Sequence, residues 1–154
     1  TVNGSISVGD EVEVTGSLDS TNGSLSVGAR STVARSLETV NGAVSCGAST
    51  ISDGISTVNG GIKLDGTQVG GSLSSTNGSM RLTGGARVAG DIVIQGKNRP
   101  GASKKRLEIR IAEDSVVTGN ITVRDPNRRV TVVLAGGAVE GEITNAEVVH
   151  ETPS

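Results

Sequence analysis

A short motif around an Asn-Gly pair recurs along the first half of this chain and constrains its fold more than any other feature. The motif first occurs as Thr-Val-Asn-Gly-Ser-Ile at residues 1–6. Five Asn-Gly pairs follow one another at separations of 19, 19, 18 and 18 residues. A near-constant period of this length is typical of stacked repeats, in which each copy contacts mainly its neighbours. The chain is therefore interpreted as a repeat before any local motif is considered.

Apolar residues occupy four positions of the repeat and form four columns through seven copies. The first column is Val14, Val33, Ile51, Val69, Val88, Val117 and Val139, and four residues later comes the second, Leu18, Leu37, Ile55, Leu73, Ile92, Ile121 and Ile143. The third is Ile6, Leu25, Val44, Ile62, Met80, Ile109 and Val132, and two residues later comes the fourth, Val8, Val27, Cys46, Leu64, Leu82, Ile111 and Leu134. An offset of two places both side chains on one face of a strand.

These columns predict an all-β fold, a single-stranded parallel β-helix (β-solenoid) of about seven coils of 18–19 residues, with insertions in the last coils. No stretch shows the apolar spacing of a helix. The chain has no Phe, Tyr or Trp, so its core must be thin and aliphatic. A right-handed coil is expected by analogy with other parallel crossovers. A left-handed hexapeptide helix is the alternative, because 18 is three sixes, although the column spacing is not six-fold.

The chain is predicted to form one solenoid domain over residues 1–149, followed by a polar tail at 150–154. Five regular Asn-Gly coils extend to about residue 95, and coils with basic insertions occupy about 96–149. No run of 18 apolar residues suggests a membrane span. The chain begins at Thr in the middle of a repeat, which suggests a processed or trimmed end with any targeting segment already removed.

The Asn-Gly pairs fall between the second and third columns, where the coil must turn a corner. Asn and Gly tolerate positive φ, which a tight corner is expected to require. Stacked side-chain amides at this corner are predicted to form a structural hydrogen-bond ladder, with a repeated polar binding edge as the alternative. The ladder residues are Asn3, Asn22, Asn41, Asn59 and Asn77.

Basic residues concentrate in two insertions at this same corner. The gap between the second and third columns grows from seven residues to 17 in one coil and to 11 in the next. Stacked insertions should pool their charges in one patch for an anionic polysaccharide or lipid surface, and the alternative is a solvated loop. Nucleic acid is disfavoured because no aromatic side chain can stack on bases. The patch comprises Lys97, Arg99, Lys104, Lys105, Arg106, Arg124, Arg128 and Arg129.

No catalytic, cofactor-binding or metal-binding constellation is found in the sequence, and the protein is not expected to be an enzyme. Cys46 occupies an apolar column and is interpreted as a core residue. His150, the single histidine, lies in the polar tail. A flat hydroxyl lattice for ice binding is disfavoured, since the row Ser7, Ser26 and Ser45 continues as Lys63, Arg81 and Arg110.

The repeats resemble those of bacterial β-solenoid proteins of the adhesin-like and polymer-forming kind, which include the bactofilins. The resemblance is carried by the Thr-Val-Asn-Gly-Ser-Ile repeats and by Val-x-Gly-x-Ile units at 88–92, 117–121 and 139–143. It covers nearly the whole chain and implies a right-handed, three-sided solenoid without enzymatic activity. Bactofilins are cytoplasmic and polymerise end to end, whereas Asn-Gly-rich relatives look exported. The resemblance therefore implies an exported protein, periplasmic, on the cell surface or extracellular, with the bacterial cytoplasm as the alternative.

Two functions are therefore expected, each from a different class. The first is a structural solenoid of the cell envelope or extracellular space that self-associates through open ends, giving a homo-oligomer or filament. The second is an adhesin-like module whose basic corner binds an anionic glycan or lipid surface. Acidic residues in the first and last coils would oppose end-to-end contacts at low salt.

Overall fold

A computed structural model describes residues 2–76, 78–94, 107–124 and 130–151 of the 154-residue chain. Within these ranges the chain forms short β-strands and no helix. The strands build three parallel sheets, and each coil adds one strand to every sheet. The protein is a β-solenoid of about seven turns, which confirms the predicted fold class.

The first sheet carries the third and fourth apolar columns, in the strands β1 (Ile6–Val8), β4 (Leu25–Val27), β7 (Val44–Gly47), β10 (Ile62–Asp65), β13 (Met80–Thr83), β16 (Leu107–Ala112), β19 (Val130–Ala135) and β22 (Glu147–His150). The second sheet carries the first column, in β2 (Glu13–Val14), β5 (Thr32–Val33), β8 (Thr50–Ile51), β11 (Gln68–Val69), β14 (Arg87–Val88), β17 (Val116–Val117) and β20 (Ala138–Val139). The third sheet carries the second column, in β3 (Leu18–Ser20), β6 (Leu37–Thr39), β9 (Ile55–Thr57), β12 (Leu73–Ser75), β15 (Ile92–Ile94), β18 (Ile121–Val123) and β21 (Ile143–Thr144).

The four predicted columns are the actual pairing partners between coils. Val14 pairs with Val33, Leu18 with Leu37, and the same register continues without a slip to Val139 and Ile143. A slip of one residue would turn every inward side chain to solvent, so a continuous apolar column strongly favours this register. The periodicity of the sequence therefore predicted the register of all three sheets.

The core is a thin aliphatic cylinder that is sealed in the middle and open at its ends. Inward side chains of the central coils, such as Leu37 and Ile55, are 0% and 1% exposed. Their counterparts in the first and last coils, including Leu18 and Ile143, are only partly buried. Each additional coil therefore stabilises its neighbour by covering about four aliphatic side chains.

The last strand was not predicted from the columns and changes the proposed domain boundary. In β22, Val148 pairs with Val132, and His150 pairs with Leu134. His150 therefore belongs to the solenoid and not to a tail beginning at 150. The apolar columns did not predict this strand, because the corner before it is shortened to Asn145 and Ala146 and because a histidine occupies an apolar position. Asn145 makes this short corner at a φ of 59° and donates from Nδ2 to the carbonyl of Val123 at 3.0 Å.

The expectation of positive φ at the Asn-Gly corner was wrong. No described Asn or Gly of these pairs has a positive φ. Glycine is needed there because adjacent coils touch through their backbones: a Cβ on Gly42 would overlap the carbonyl oxygen of Gly23. The same overlap recurs at Gly60, whose Cβ would meet the carbonyl oxygen of Gly42. The constraint comes from the neighbouring coil and not from the local backbone angle.

Positive φ occurs instead at the corner between the first and second sheets. Successive coils place Glu11, Arg30, Ala48 and Gly66 there, with φ values of 56°, 57°, 42° and 64°. Left-handed backbone costs roughly 1–2 kcal/mol for a residue with a Cβ. Three coils therefore hold a strained residue at a position where the fourth has glycine.

Replacing Gly42 with alanine is expected to destabilise the solenoid by several kcal/mol, because the new Cβ overlaps backbone that cannot move away. Gly66→Ala should cost only about 1 kcal/mol, since its Cβ would make an ordinary contact at 3.4 Å and only the φ is unfavourable. Gly47→Ala is the control, because no atom lies within 4 Å of its Cβ position. Denaturant unfolding of the three variants measures the order of their stabilities. Equal losses of unfolding free energy in Gly42→Ala and Gly66→Ala would contradict the steric explanation.

Candidate functional site

The Asn corner carries a chain of side-chain hydrogen bonds along the solenoid. The Nδ2 atom of Asn22 donates to Oδ1 of Asn3, that of Asn41 to Asn22, and that of Asn59 to Asn41, each at 2.8 Å. These four asparagines are exposed, and Asn77 lies outside the described residues. Because each amide has both a donor and an acceptor, stacking at the coil repeat satisfies one bond of each kind per residue. The ladder uses one donor and one acceptor of each inner amide, as the predicted structural ladder requires.

A column of buried hydroxyl groups lies beneath the Asn ladder and was not predicted. Ser20, Thr39, Thr57 and Ser75 stack in the third sheet and are at most 5% exposed. Thr39 Oγ1 donates to the carbonyl of Gly23 at 3.0 Å, and Thr57 Oγ1 accepts from the N–H of Gly60 at 3.2 Å. These hydroxyls satisfy backbone groups that the corner would otherwise bury without partners.

The same column becomes apolar where the Asn-Gly corner is replaced. The residues that follow Ser75 in register are Ile94 and Val123, both 0% exposed. The hydroxyl and the Asn-Gly pair thus occur together in a coil and disappear together. The sequence could have predicted this hydroxyl column, since each hydroxyl residue precedes its Asn-Gly pair by two residues.

Replacing Asn41 with alanine should lower the free energy of unfolding by about 1 kcal/mol, because it removes two exposed hydrogen bonds in the middle of the ladder. Ser26→Ala, at an exposed strand position, is the control and should have almost no effect. Thermal and denaturant unfolding measure both variants. An Asn41→Ala protein as stable as the control would show that the ladder does not contribute to folding.

The predicted basic corner falls almost entirely outside the described residues. This applies to Lys97, Arg99, Lys104, Lys105, Arg106, Arg128 and Arg129. Arg124 is described: it is exposed, directly after β18, and its backbone N–H donates to the carbonyl of Ile94 at 3.0 Å. The pooling of these charges in one patch stays a prediction.

The outer face of the first sheet holds a second basic feature, which the sequence indicated only as an interrupted row of serines. Ser45 pairs with Lys63, Lys63 with Arg81, and Arg81 with Arg110. The three cations therefore stand on consecutive strands, about 4.8 Å apart. We call them the cation row.

A groove of about 400 Å³ runs across four coils beside the cation row. One side is made by Ser45 and the three cations, and the adjoining strand positions are the small residues Ala43, Gly61 and Ser79, followed by Glu108. The small side chains create the groove because they leave the backbone of the sheet uncovered next to long basic side chains. The periodicity of the apolar columns contains no signal for it, because its long basic side chains belong to the outward row, although Val44, Ile62 and Met80 of the third column also line it.

Only one member of the cation row has an ion pair among the described residues. Arg110 lies 3.1 Å from a carboxylate oxygen of Glu151 and 3.7 Å from one of Glu108. Lys63 and Arg81 have no carboxylate oxygen within 4.0 Å in that part of the chain. Two cations of the groove are therefore exposed and have no ion pair within the described ranges.

The remaining chemistry-bearing residues show no arrangement for catalysis in the ranges described. Burial of Cys46 raises the pKa of its thiol to about 12, so the thiol is protonated at neutral pH. Across the described part of the chain, no three His, Cys, Asp or Glu residues are grouped so that they could hold a metal ion. A search of the same part found no helix with the length and hydropathy to cross a membrane.

Two acidic residues stack on the third sheet, where Asp19 pairs with Glu38. A hydrogen bond with Asp19, partial burial, and the negative charges of Asp19 and Asp53 together raise the pKa of Glu38. A carboxyl group with a raised folded-state pKa stabilises the fold below its unfolded pKa of about 4.3, and this contribution is lost as pH rises through the folded value.

Glu38→Gln should therefore raise the melting temperature slightly at neutral pH, because the amide removes the repulsion and supplies a hydrogen-bond donor that an ionised carboxylate lacks. The gain should disappear below about pH 4, where the wild-type carboxyl is protonated in both states. Thermal melts across this pH range measure the difference, with Glu140→Gln as an exposed control. A gain that persists unchanged at low pH would refute the electrostatic explanation.

Comparisons with protein-family models, curated proteins and solved structures gave no significant match.

Proposed function

We propose that this chain is a non-enzymatic structural β-solenoid that self-associates end to end, into filaments, in the bacterial cell envelope or extracellular space. The observation that carries the proposal is the open edge at each end of the described solenoid. The location is supported by the resemblance of the Asn-Gly repeats to those of exported solenoids.

The strands of the first coil each have a single partner among the described residues. The N–H of Ile6 donates to Ser24, and the carbonyl of Val8 accepts from Gly28. Because alternate residues of a parallel strand bond to opposite sides, the N–H and C=O of Ser7 point away from the second coil. At the other end the N–H of Glu151 donates to Leu134, so the backbone of His150 faces outward in the same way. Among the described residues, both end coils therefore have sheet edges without a backbone partner, and such edges favour pairing with another chain.

The apolar column also ends in partly exposed side chains at both edges. Ile6, Val14 and Leu18 are half-buried in the first coil, and Val139 and Ile143 are half-buried in the last. A second copy stacked in register would cover these residues as each inner coil covers its neighbour. The contact is heterologous, so repeated stacking along one axis gives an open filament and not a closed ring.

Acidic side chains surround both edges and oppose this stacking. The first coil carries Asp10, Glu11, Glu13 and Asp19, and the last carries Glu140, Glu142, Glu147 and Glu151. Some of these charges are compensated, since Glu11 pairs with Arg30 at 2.9 Å and Glu151 with Arg110. The net repulsion should therefore be moderate and should be screened by salt.

Filament formation should increase with ionic strength, because the Debye length falls from about 30 Å at 0.01 M salt to about 3 Å at 1 M. Sedimentation and negative-stain electron microscopy measure the change. Ser7→Pro should stop it, since proline removes an outward N–H on an edge strand without breaking an inner hydrogen bond. Ser7→Ala retains that N–H and should assemble like the wild type. A wild-type protein that stays monomeric at high concentration and high salt would refute the proposal.

Whether unlike ends of two copies meet can be tested with a second variant, in which the edge of the last coil is blocked. His150→Pro should also prevent filaments, because it blocks the opposite edge. An equimolar mixture of the Ser7→Pro and His150→Pro proteins should form dimers and nothing longer, since each retains the edge that the other lacks. Dimers of either variant alone would instead indicate contacts between like ends.

A further inference from the structure

We propose that the groove beside the cation row is a binding site for a linear anionic polysaccharide lying along the solenoid axis. The site comprises Lys63, Arg81 and Arg110 and is independent of end-to-end assembly. It is also distinct from the predicted basic corner, because its residues belong to the outer face of the first sheet.

The cation row is the first observation that supports a ligand. Like charges directly opposite one another on neighbouring strands destabilise a sheet. Lys63 and Arg81 nevertheless stand in register and are exposed, and no described carboxylate pairs with either. Asp65 lies two residues beyond Lys63 in the same strand but does not come within 4.0 Å of its ammonium group. A bound anion would relieve this repulsion.

The shape of the site favours a long ligand over a single ion. The groove crosses four coils and has a volume of about 400 Å³, large enough for several sugar units. Its cations repeat at the strand spacing of about 4.8 Å, along the axis and not across it. A polymer with one carboxylate or sulfate on each successive unit could place these groups against successive cations.

The row continues beyond the cations with hydroxyl groups. Ser45, Ser26 and Ser7 follow Lys63 in register towards the first coil, and all three are exposed. A sugar chain extending in this direction would exchange ionic contacts for hydrogen bonds to hydroxyls. In the other direction Glu108 and Glu151 hold Arg110 and limit the site with negative charge.

A polysaccharide accounts for these features better than the other polyanions do. Single-stranded nucleic acid is bound largely by stacking bases on aromatic rings, and this chain contains no Phe, Tyr or Trp. A membrane surface would be expected to meet exposed apolar side chains next to the cations. The small outward residues beside the cations are serine, alanine and glycine, with Glu108 at one end. Val133, which follows Arg110 in register, is buried.

The test compares two doubly substituted proteins of equal net charge. Lys63→Gln/Arg81→Gln removes the two unpaired cations of the groove, and Arg35→Gln/Arg87→Gln removes two exposed cations outside it. Binding to heparin and to polygalacturonate is measured by isothermal titration over a range of salt concentrations, with neutral dextran as the ligand control. The groove variant should bind at least tenfold more weakly, with a salt slope smaller by about two, whereas the control variant should bind like the wild type.

A variant that is expected to bind the polysaccharide more tightly provides a check that does not depend on a loss of binding. Glu108→Gln removes the carboxylate at the end of the groove and releases Arg110 from one partner, so it should strengthen binding several-fold. Unchanged circular dichroism and melting of each variant establish that the fold is retained.

Several results would overturn the proposal. One is equal binding by the groove and control variants, and another is binding of neutral dextran as strong as that of the anionic polymers. Binding that survives in the groove variant and is lost in Lys104→Glu/Lys105→Glu would assign the polysaccharide to the basic corner. Retention on phosphatidylserine vesicles without binding to either anionic polysaccharide would assign the cations to a lipid surface.

Discussion

The hydrogen bonds between successive coils are the interaction on which the whole structure depends. Because these bonds join equal positions of the repeat, the paired strand residues of each inner coil lie above and below their own equivalents. Nearly all other properties follow from this arrangement. Aliphatic residues stack into a continuous core, and amides stack into a ladder. Charged side chains stack as well. The position of each outward residue in the repeat decides whether the charges of its neighbours attract or repel its own.

Stacking of equal positions places unusual demands on the corners. The Asn-Gly corner combines an exposed amide, a glycine in backbone contact with the next coil, and a buried hydroxyl two residues before the pair. The amide and the hydroxyl form hydrogen bonds with an adjacent coil, and the glycine avoids a clash with it. A substitution at one of these three residues is therefore expected to require changes at the other two. Where the later coils insert extra residues, Ile94 and Val123 replace the hydroxyl, and the buried column becomes apolar.

The same rule links the two proposals, although they rest on different residues. Self-association extends the stacking of coils to a second copy, through the edges of the first and last coils. Polysaccharide binding would use a place where stacking puts like charges together, and where Lys63 and Arg81 have no carboxylate partner among the residues that the structure describes. In both cases the periodic fold leaves groups without a partner among the described residues. At the end coils these are backbone N–H and C=O groups, and on the outer face of the first sheet they are the charges of Lys63 and Arg81. A periodic polymer, whether protein or polysaccharide, can complete such an interaction at several coils.

The sequence alone determined the fold class, the coil length and the register, because seven copies of an apolar column allow a single pairing that keeps every column inside. It also indicated that Asn3, Asn22, Asn41 and Asn59 stack. The tertiary structure decided what depends on contact between coils. It showed that glycine at the corner avoids the neighbouring backbone, that β22 continues the first sheet through His150, and that small residues beside the cation row leave a groove. These features depend on residues distant in the chain but adjacent in space, so no local pattern could reveal them.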